Sequence, residues 1–371
     1  MVYFVRTLGV MLAIVGAYGC GDSSTSSETA PGAAYRDAGP FTAGVTTVGY
    51  ADRKVEIWYP VDSGDEGGRE RDVYFIRDWL PDFINAILPA DANPPFETNA
   101  HREAPASAAG PFPLVVFAHG SASFRTQSTF LTTHLATWGF VVVAPDYLER
   151  GLGNALGQPP EQPIEDLVLS RAAVDLAKQL NSTGGGLLEG RIAADRVAIT
   201  GHSAGGGSSF RFGSETDVVT YIPLSAGVRD TTEPSDFPQA PSMWLTGDID
   251  GIVSVDGVVR AFENAPSPSR LVIVEGGGHL APTDLCRIGA DGGGIVQIGL
   301  DAGLPVPEGL RRLGTDGCQP EALPAEAGWP VFNHFVTAQL RWAFGLDDSP
   351  VGLSPTVASD FPEAPFTYRE K

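Results

Sequence analysis

Residues 197–206, Val-Ala-Ile-Thr-Gly-His-Ser-Ala-Gly-Gly, decide which fold this chain adopts. The first four residues are mostly β-branched and predict a buried strand, whereas the small residues from Ala204 onward suit the first turn of a helix. Between them, Gly201 to Gly205 fit the pattern Gly-x-Ser-x-Gly, which places a serine on a sharp turn from strand to helix. Glycines are expected at both ends because any side chain there would collide with the neighbouring strand or helix. Ser203 is therefore a candidate nucleophile.

An aspartate and a histidine follow predicted strands farther along the chain. Asp250 lies in the turn after the apolar run 243–246. His279 lies in a glycine-rich turn after the apolar run 271–274. Open parallel sheets place their sites just past the carboxyl ends of such strands, and the order serine, aspartate, histidine is that of α/β-hydrolases. His279 is therefore the predicted general base for Ser203.

The identity of the acid is left with alternatives. Asp248 and Asp250 stand two residues apart in one turn, so one can orient His279 while the other caps the turn or the following helix. We favour Asp250. Asp230 and Asp256 are further candidates, whose ordinary roles are surface solvation and helix capping.

An oxyanion hole is predicted from an earlier segment. Residues 114–118, Leu-Val-Val-Phe-Ala, predict a strand that runs into His119-Gly120-Ser121. Hydrolases with this serine turn take one backbone N–H from the residue after the nucleophile and one from the loop after an early strand. This rule assigns the amides of Ala204 and Ser121, each worth about 3 kcal/mol to a developing oxyanion.

With these residues in place, the chain resembles the α/β-hydrolase superfamily. Within it, the chain is similar to dienelactone-hydrolase-like proteins, platelet-activating-factor acetylhydrolases and cutinase-like polyester hydrolases. The likeness spans residues 45–345 and is carried by residues 55–60, 117–120, 135–146, 247–250 and 277–282. It implies an α/β fold with a mostly parallel central sheet, flanking helices and loop insertions. It also implies a serine hydrolase of carboxylic esters that needs no cofactor.

The chain departs from parts of this family pattern. Mammalian-type acetylhydrolases carry their acid after the strand that follows the nucleophile helix. Here that strand, 220–224, is followed by no acid until Asp230, so the acid position resembles that of the polyester hydrolases. Dienelactone hydrolases proper use a cysteine where this chain has Ser203, so their substrate is not carried over.

Hydrophobic patterning predicts one hydrolase domain over residues 43–345, with a loosely packed tail at 346–371. Predicted strands lie at 45–49, 54–59, 114–118, 140–144, 197–200, 220–224, 242–246 and 271–274. Predicted helices lie at 130–138, 164–181, 255–265 and 331–344.

Two insertions interrupt this pattern. Residues 62–112 are acidic and proline-rich, and their apolar stretch 79–88 predicts an amphipathic helix that is either core or a lid over the site. Residues 280–330 are glycine- and proline-rich and directly follow His279, so they are either part of the substrate pocket or a peripheral loop.

The amino-terminal residues predict export. Residues 1–19 resemble a lipoprotein-type signal peptide, because an apolar stretch too short to span a bilayer ends before Cys20, the predicted lipidation site. Cleavage by ordinary signal peptidase or an uncleaved anchor are the alternatives. Residues 20–42 read as a polar linker. The remaining cysteines, Cys286 and Cys318, form an even pair that we expect to be a disulfide in an oxidising compartment.

Charge and motif spacing restrict the partners. The formal net charge of −21 argues against nucleic acid or an anionic membrane surface as a partner. The sequence has no metal-ligand spacing and no dinucleotide fingerprint after a strand, although it leaves calcium binding open. We expect a monomer at the bacterial outer membrane or cell surface, otherwise periplasmic or secreted, whose only membrane contact is the lipid anchor.

The predicted function is an exported carboxylester hydrolase that works through an acyl-enzyme. An acyltransferase with the same triad and a non-catalytic surface lipoprotein on a hydrolase scaffold are the alternatives. A short-chain ester, a platelet-activating-factor-like lipid and a polyester are all compatible with the sequence.

Overall fold

Alternating side chains along the central strands build a separate core on each face of one sheet. The strand Phe112–Ala118 shows the pattern, since Val115 and Phe117 pack on one face and Leu114 and Val116 on the other. All four side chains are fully buried. Strands buried on both faces are typical of parallel sheets covered by helices. The computed structural model describes Met1 and residues 32–371.

Within residues 32–371 the sheet has eleven strands. They are β1 (Thr42–Tyr50), β2 (Arg53–Val61), β3 (Arg71–Phe75), β4 (Pro95–Arg102), β5 (Phe112–Ala118), β6 (Val141–Pro145), β7 (Ile192–His202), β8 (Val218–Leu224), β9 (Ser242–Gly247), β10 (Ser269–Val274) and β11 (Phe366–Glu370). Their spatial order is β11-β10-β9-β8-β7-β5-β6-β2-β1-β4-β3. The pairs from β6 through β10 are parallel, and the outer pairs are antiparallel except β1 with β4.

Nine helices belong to the same stretch of the chain. They are α1 (Asp82–Asn85), α2 (Thr129–Thr137), α3 (Leu152–Ala155), α4 (Asp166–Ser182), α5 (Ala204–Phe212), α6 (Val255–Asn264), α7 (Gly294–Asp301), α8 (Glu308–Leu313) and α9 (Ala325–Phe344). Side chains of α2 and α9 pack in one core, and side chains of α4, α5 and α6 pack in the other. No helix of the described stretch is long and apolar enough to cross a membrane.

The predicted fold class is confirmed, since a mostly parallel sheet lies between helices. All eight predicted strands and all four predicted helices are present. The predicted signal peptide at residues 1–19, apart from Met1, and the predicted lipidation site Cys20 lie outside the described residues. The described end of the predicted linker packs against the domain, because Tyr35 is buried against Trp138 and His334.

The amphipathic helix expected over residues 79–88 is wrong. The structure has a 3-10 turn at Ile76–Trp79 and then the single turn of α1. Pro81 separates the two, because a proline inside a helix lacks the N–H donor and clashes with the preceding turn. Phe83 and Ile87 remain exposed, so no continuous apolar face is buried.

The tail expected to be loosely packed also differs. Residues Leu353, Val357, Phe361 and Ala364 are buried in the core beside α9. The chain then adds β11 antiparallel to β10, with Phe366 opposite Val274. Apolar residues spread thinly among prolines and acids are enough to cover the open end of the sheet.

Asp284 joins the two insertions to the first turn of α2. Its buried carboxylate accepts hydrogen bonds from the backbone N–H groups of Thr129 (2.7 Å) and Phe130 (3.2 Å). It also accepts from the hydroxyl of Tyr74 at 3.2 Å. Tyr74 belongs to β3 in the first insertion, so one carboxyl group connects both insertions to the body. Burial raises the pKa of Asp284 to about 7.

This raised pKa predicts a pH-dependent contribution to stability. The folded protein keeps a proton on Asp284 that the unfolded chain releases near pH 4, so between about pH 4 and 7 the free energy of unfolding falls as pH rises. Asp284→Asn removes this fall, and the pH-dependent difference from the wild type is on the order of 4 kcal/mol. Denaturant unfolding across this range measures it. The exposed Asp291→Asn is the matched control, and parallel pH curves for Asp284→Asn and wild type would contradict the assignment.

Candidate active site

Ser203 stands on a strained turn between β7 and α5. Its backbone has φ 55° and ψ −119°, a conformation that residues other than glycine rarely adopt. The Ser203 N–H donates to Leu224 O at 2.8 Å, which fixes the turn to β8. A Cβ at Gly205 would lie 2.0 Å from Ala118 O, and one at Gly201 would lie 2.5 Å from Gly205 O. Two glycines therefore let α5 approach β5 closely enough to form this turn.

His279 contacts Ser203 on one side and Asp250 on the other. Its Nε2 lies 3.0 Å from the Ser203 hydroxyl oxygen, and its Nδ1 lies 2.9 Å from Asp250 Oδ2. A carboxylate can only accept, so Nδ1–H donates to Asp250 and Nε2 is left to accept from the serine hydroxyl. The side chains of His279 and Asp250 have no exposed surface. The structure therefore brings the three predicted residues together as one hydrogen-bonded chain.

Of the four acids considered, Asp250 is the one in contact with His279. Its Oδ1 also accepts from the N–H groups of Ile252 (2.9 Å) and Val253 (2.7 Å), which orients the carboxylate. Asp248 instead accepts from Gly276 N–H at 2.6 Å and is exposed. The other two acids are also exposed, Asp230 paired with Arg260 and Asp256 in the first turn of α6.

In the loop after β5, the Ser121 amide lies between two amides that are hydrogen-bonded within the protein. Gly120 N–H donates to Gln127 Oε1 at 2.7 Å, and Ala122 N–H donates to Arg150 O at 2.7 Å. Between them, the Ser121 N–H has no acceptor within residues 32–371, and Ser121 lines the cavity that contains Ser203. The Ala204 N–H, at the first position of α5, likewise has no acceptor in the described chain. Both amides assigned from the sequence are thus available to a ligand.

Two buried histidines support the loops. His202 donates from Nε2 to the carbonyl oxygen of His279 at 2.8 Å, and the two rings are 4.7 Å apart. His119 Nε2 accepts from Tyr147 N–H at 2.9 Å. Burial lowers the pKa of both histidines well below the ordinary value, so they stay neutral at physiological pH.

Asp316 is a contact residue that the sequence analysis missed. Its Oδ1 accepts from the backbone N–H of His279 at 2.7 Å, and its Oδ2 accepts from Gly251 N–H at 3.1 Å. Asp316 O also accepts from Leu280 N–H at 2.9 Å. One residue therefore connects the loop of the acid to the loop of the histidine. An aspartate in a glycine-rich stretch resembles a solvated loop residue. No sequence pattern distinguishes such a residue from one that accepts hydrogen bonds from two loops.

The expected disulfide is present beside this residue. Cys286 and Cys318 are bonded with a Cα–Cα distance of 5.1 Å, which closes a loop of 32 residues around α7 and α8. The bridge ties the segment that carries Asp316 to the chain that follows His279.

Both insertions line the cavity that contains Ser203 and His279. Residues 76–94 of the first insertion and 285–314 of the second supply most of its wall. The cavity has a volume of about 170 Å³ and opens to solvent. Both insertions therefore form part of the cavity wall, and the second insertion is not a peripheral loop. No cluster of acidic, histidine or cysteine side chains within residues 32–371 could hold a metal ion.

Comparisons with known proteins find that the chain is similar to ester hydrolases. A chlorophyllase family model matches residues 103–228, a stretch that contains Ser121 and Ser203 but ends before the acid and the histidine. Cutinase est2 of Thermobifida alba is 28% identical over 177 residues, covering 45% of this chain and 53% of the cutinase. A bis(hydroxyethyl) terephthalate hydrolase of Streptomyces coelicolor is 29% identical over 154 residues, covering 41% and 44%. The chain thus spans about half the length of these curated relatives.

A solved structure extends the likeness over nearly the whole chain. The ferulic acid esterase from Streptomyces cinnamoneus superposes with a TM-score of 0.61 at 21% identity, covering 88% of this chain and 96% of the esterase. At this identity the match shows the fold alone. The fold is the α/β-hydrolase fold, and the resemblance to cutinase-like hydrolases given from the sequence is confirmed.

The contrast between the two turn aspartates gives a direct prediction. Asp250→Asn removes the negative charge beside His279 and lowers the rate at which a serine-directed phosphonate labels Ser203 by on the order of 10³-fold. Asp248→Asn, the matched control in the same turn, changes that rate by less than about threefold. Equal effects of the two substitutions would show that Asp250 does not act on the histidine.

Asp316 generates a second prediction for the same readout. Asp316→Ala removes the acceptor for both loops and lowers the phosphonate labelling rate by roughly tenfold, because His279 loses the contact that fixes its backbone. Asp316→Asn keeps one acceptor oxygen and restores most of the rate. The exposed Asp291→Ala serves as control. A labelling rate that is unchanged in Asp316→Ala would overturn the positioning role.

Proposed function

We propose that this protein is a serine hydrolase of carboxylic esters that works through an acyl-enzyme. One observation carries the proposal: a buried chain of hydrogen bonds joins the Ser203 hydroxyl, the His279 imidazole and the Asp250 carboxylate. The cutinase and terephthalate-ester hydrolase matches support ester hydrolysis as the reaction class. The strained backbone of Ser203 is also typical of a nucleophile turn.

In the proposed acylation step, His279 accepts the hydroxyl proton as Ser203 Oγ attacks the ester carbonyl carbon. The carbonyl electrons move onto oxygen, and the free N–H groups of Ser121 and Ala204 donate to that oxyanion. The Asp250 carboxylate stabilises the imidazolium formed beside it. When the oxyanion collapses, the C–O bond to the alcohol breaks, and His279 returns the proton to the leaving alcohol.

Deacylation repeats these roles with water. His279 Nε2 takes a proton from water as its oxygen attacks the acyl carbon, and the same two amides hold the second oxyanion. Collapse then releases the carboxylic acid and returns the proton to Ser203 Oγ. Because the side chains of His279 and Asp250 have no exposed surface, their interaction is weakly screened and favours transient charge on the imidazole.

We further propose that the protein is exported, with residues 1–19 as signal and Cys20 as the lipidation site. The Cys286–Cys318 disulfide supports export, since such bonds persist in oxidising compartments. Metabolic labelling with a radioactive fatty acid in a bacterial host tests the anchor. Label that is lost in Cys20→Ser supports lipidation, and unlabelled wild-type protein in the soluble fraction contradicts it.

The nucleophile assignment predicts the result of removing one oxygen atom. Ser203→Ala lowers p-nitrophenyl acetate turnover by at least about 10³-fold and abolishes labelling by a serine-directed phosphonate. The exposed Ser214→Ala is the matched control and keeps both activities. Stoichiometry is read by intact mass, with one adduct expected per chain.

Two results would contradict the proposal. Ester turnover retained in Ser203→Ala would move the nucleophile elsewhere. A folded wild-type protein without turnover or labelling would favour a binding protein. Product analysis with added glycerol separates hydrolysis from acyl transfer, since a transferase forms glyceryl ester in place of free acid.

A further inference from the structure

We infer that the cavity beside Ser203 takes an ester that carries a flexible aliphatic chain of several carbons. This inference rests on the proposed ester hydrolysis and names its substrate class. Ser203 and His279 line the cavity, so an ester that reacts with Ser203 would place its attached alkyl chain there. The sequence left a short-chain ester, a lipid-like ester and a polyester equally open.

Leucine, isoleucine and valine make up half of the residues that line the cavity. The first insertion supplies Ile76, Leu80 and Leu88. The second supplies aliphatic side chains from α7, α8 and the segment between them, among them Val296, Val306 and Leu310. Flexible alkyl chains can pack closely against such a wall, and each buried methylene adds to the free energy of binding.

Helix α7 is mostly apolar without being buried, and α8 carries two leucines that are not buried either. The sequence of α7 is Gly-Ile-Val-Gln-Ile-Gly-Leu-Asp, yet none of its residues is buried, and none is buried in α8. Partly exposed aliphatic side chains of both helices line the cavity, and Ile295 also packs against the small core around Leu285 and Ile288. Contiguous exposed apolar surface of this kind marks a binding site, and the serine and histidine in the same cavity identify its ligand as substrate.

Arg77 and Gln127 of the wall are already hydrogen-bonded within the protein, whereas Ser123 Oγ and His202 Nδ1 have no partner in the described chain. Arg77 donates from all three guanidinium nitrogens to Asn85 and to Pro89 O. Gln127 accepts from Gly120 N–H and donates to Ser128 Oγ. Asn93 Oδ1 has no partner in the described chain but is buried beneath the surface. Few polar side chains of the wall remain for a ligand, so a ligand with several polar groups would lose hydrogen bonds to water that the wall replaces only in part.

The wall is fixed to the catalytic loops. The Cys286–Cys318 bond closes the segment that carries α7 and α8, and Asp316 of that segment binds His279 N–H and Gly251 N–H. Asp284, which precedes this segment in the chain, connects it to the first insertion by accepting a hydrogen bond from Tyr74. The wall that contacts the chain and the residues that act on the ester therefore keep a constant relative position, which suits a preformed site.

Two ester series on the full chain test the inference and show on which side of the ester the chain lies. The first is p-nitrophenyl acetate, butyrate, hexanoate and octanoate, and the second is ethyl, butyl, hexyl and octyl acetate followed by acid release. We expect kcat/KM to rise roughly two- to fourfold for each added methylene along one series until the cavity is filled. A rise in the first series places the acyl group in the cavity, and a rise in the second places the alcohol there.

A cavity-filling variant ties the effect to these residues. A Cβ at Gly299 on α7 would make ordinary contact with Val306 and Leu304, which also line the cavity. Gly299→Leu should therefore lower kcat/KM for the longest esters at least tenfold more than it lowers kcat/KM for the acetate. Gly309→Leu on α8 is the matched control, because a Cβ there meets nothing within 4 Å.

The outcomes separate failure of this inference from failure of the proposed function. A rising series that Gly299→Leu flattens supports the aliphatic site. Acetate turnover with no dependence on chain length in either series overturns it and leaves the ester hydrolase intact. Faster turnover of bis(2-hydroxyethyl) terephthalate or methyl ferulate than of every aliphatic ester also overturns it. No turnover and no phosphonate label on Ser203 would instead remove the proposed function.

Discussion

The buried hydrogen bond between His279 and Asp250 is the constraint on which the site depends. The two side chains come from loops after different strands, β10 and β9, and neither loop is regular structure. Both residues are excluded from water, so the imidazole can be polarised by the carboxylate only if both loops hold their position. The protein meets this requirement with backbone contacts. Asp250 is fixed by its own turn, and Asp316 binds the N–H groups of His279 and Gly251.

The segment that supplies Asp316 also supplies nine of the 28 residues that line the cavity. A disulfide-closed loop thus performs two tasks that are often given to separate parts of an enzyme: it orients the proposed general base, and it shapes the space beside the nucleophile. A change of sequence in this loop acts on both at once. Substitutions in α7 and α8 can change the cavity wall, because these helices contribute no buried residue to a core. The contacts of Asp316 would still keep the two loops in place.

The sequence predicted the parts of the molecule that follow from strong local patterns. Near-continuous apolar strands and the Gly-x-Ser-x-Gly turn gave the sheet, the nucleophile turn and the positions of Asp250 and His279. The sequence could not choose between Asp248 and Asp250 by pattern alone, since the choice depends on which carboxylate turns inward. It missed β3, β4 and β11, which lie at the edges of the sheet and carry too few apolar residues to show an alternating pattern. Asp316 and Asp284 were not predicted, because a buried carboxylate and a solvated one look the same in a loop sequence.

A crystal structure of the protein inactivated by an alkyl phosphonate would show whether the proposed reacting groups meet in one site. We expect a bond from phosphorus to Ser203 Oγ, with the phosphonyl oxygen within hydrogen-bond distance of the Ser121 and Ala204 amides. We also expect the alkyl chain or the remaining ester group to lie against α7 and α8. An adduct on another residue, or a phosphonyl oxygen turned away from both amides with His279 out of reach of Ser203, would show that these residues do not form the site.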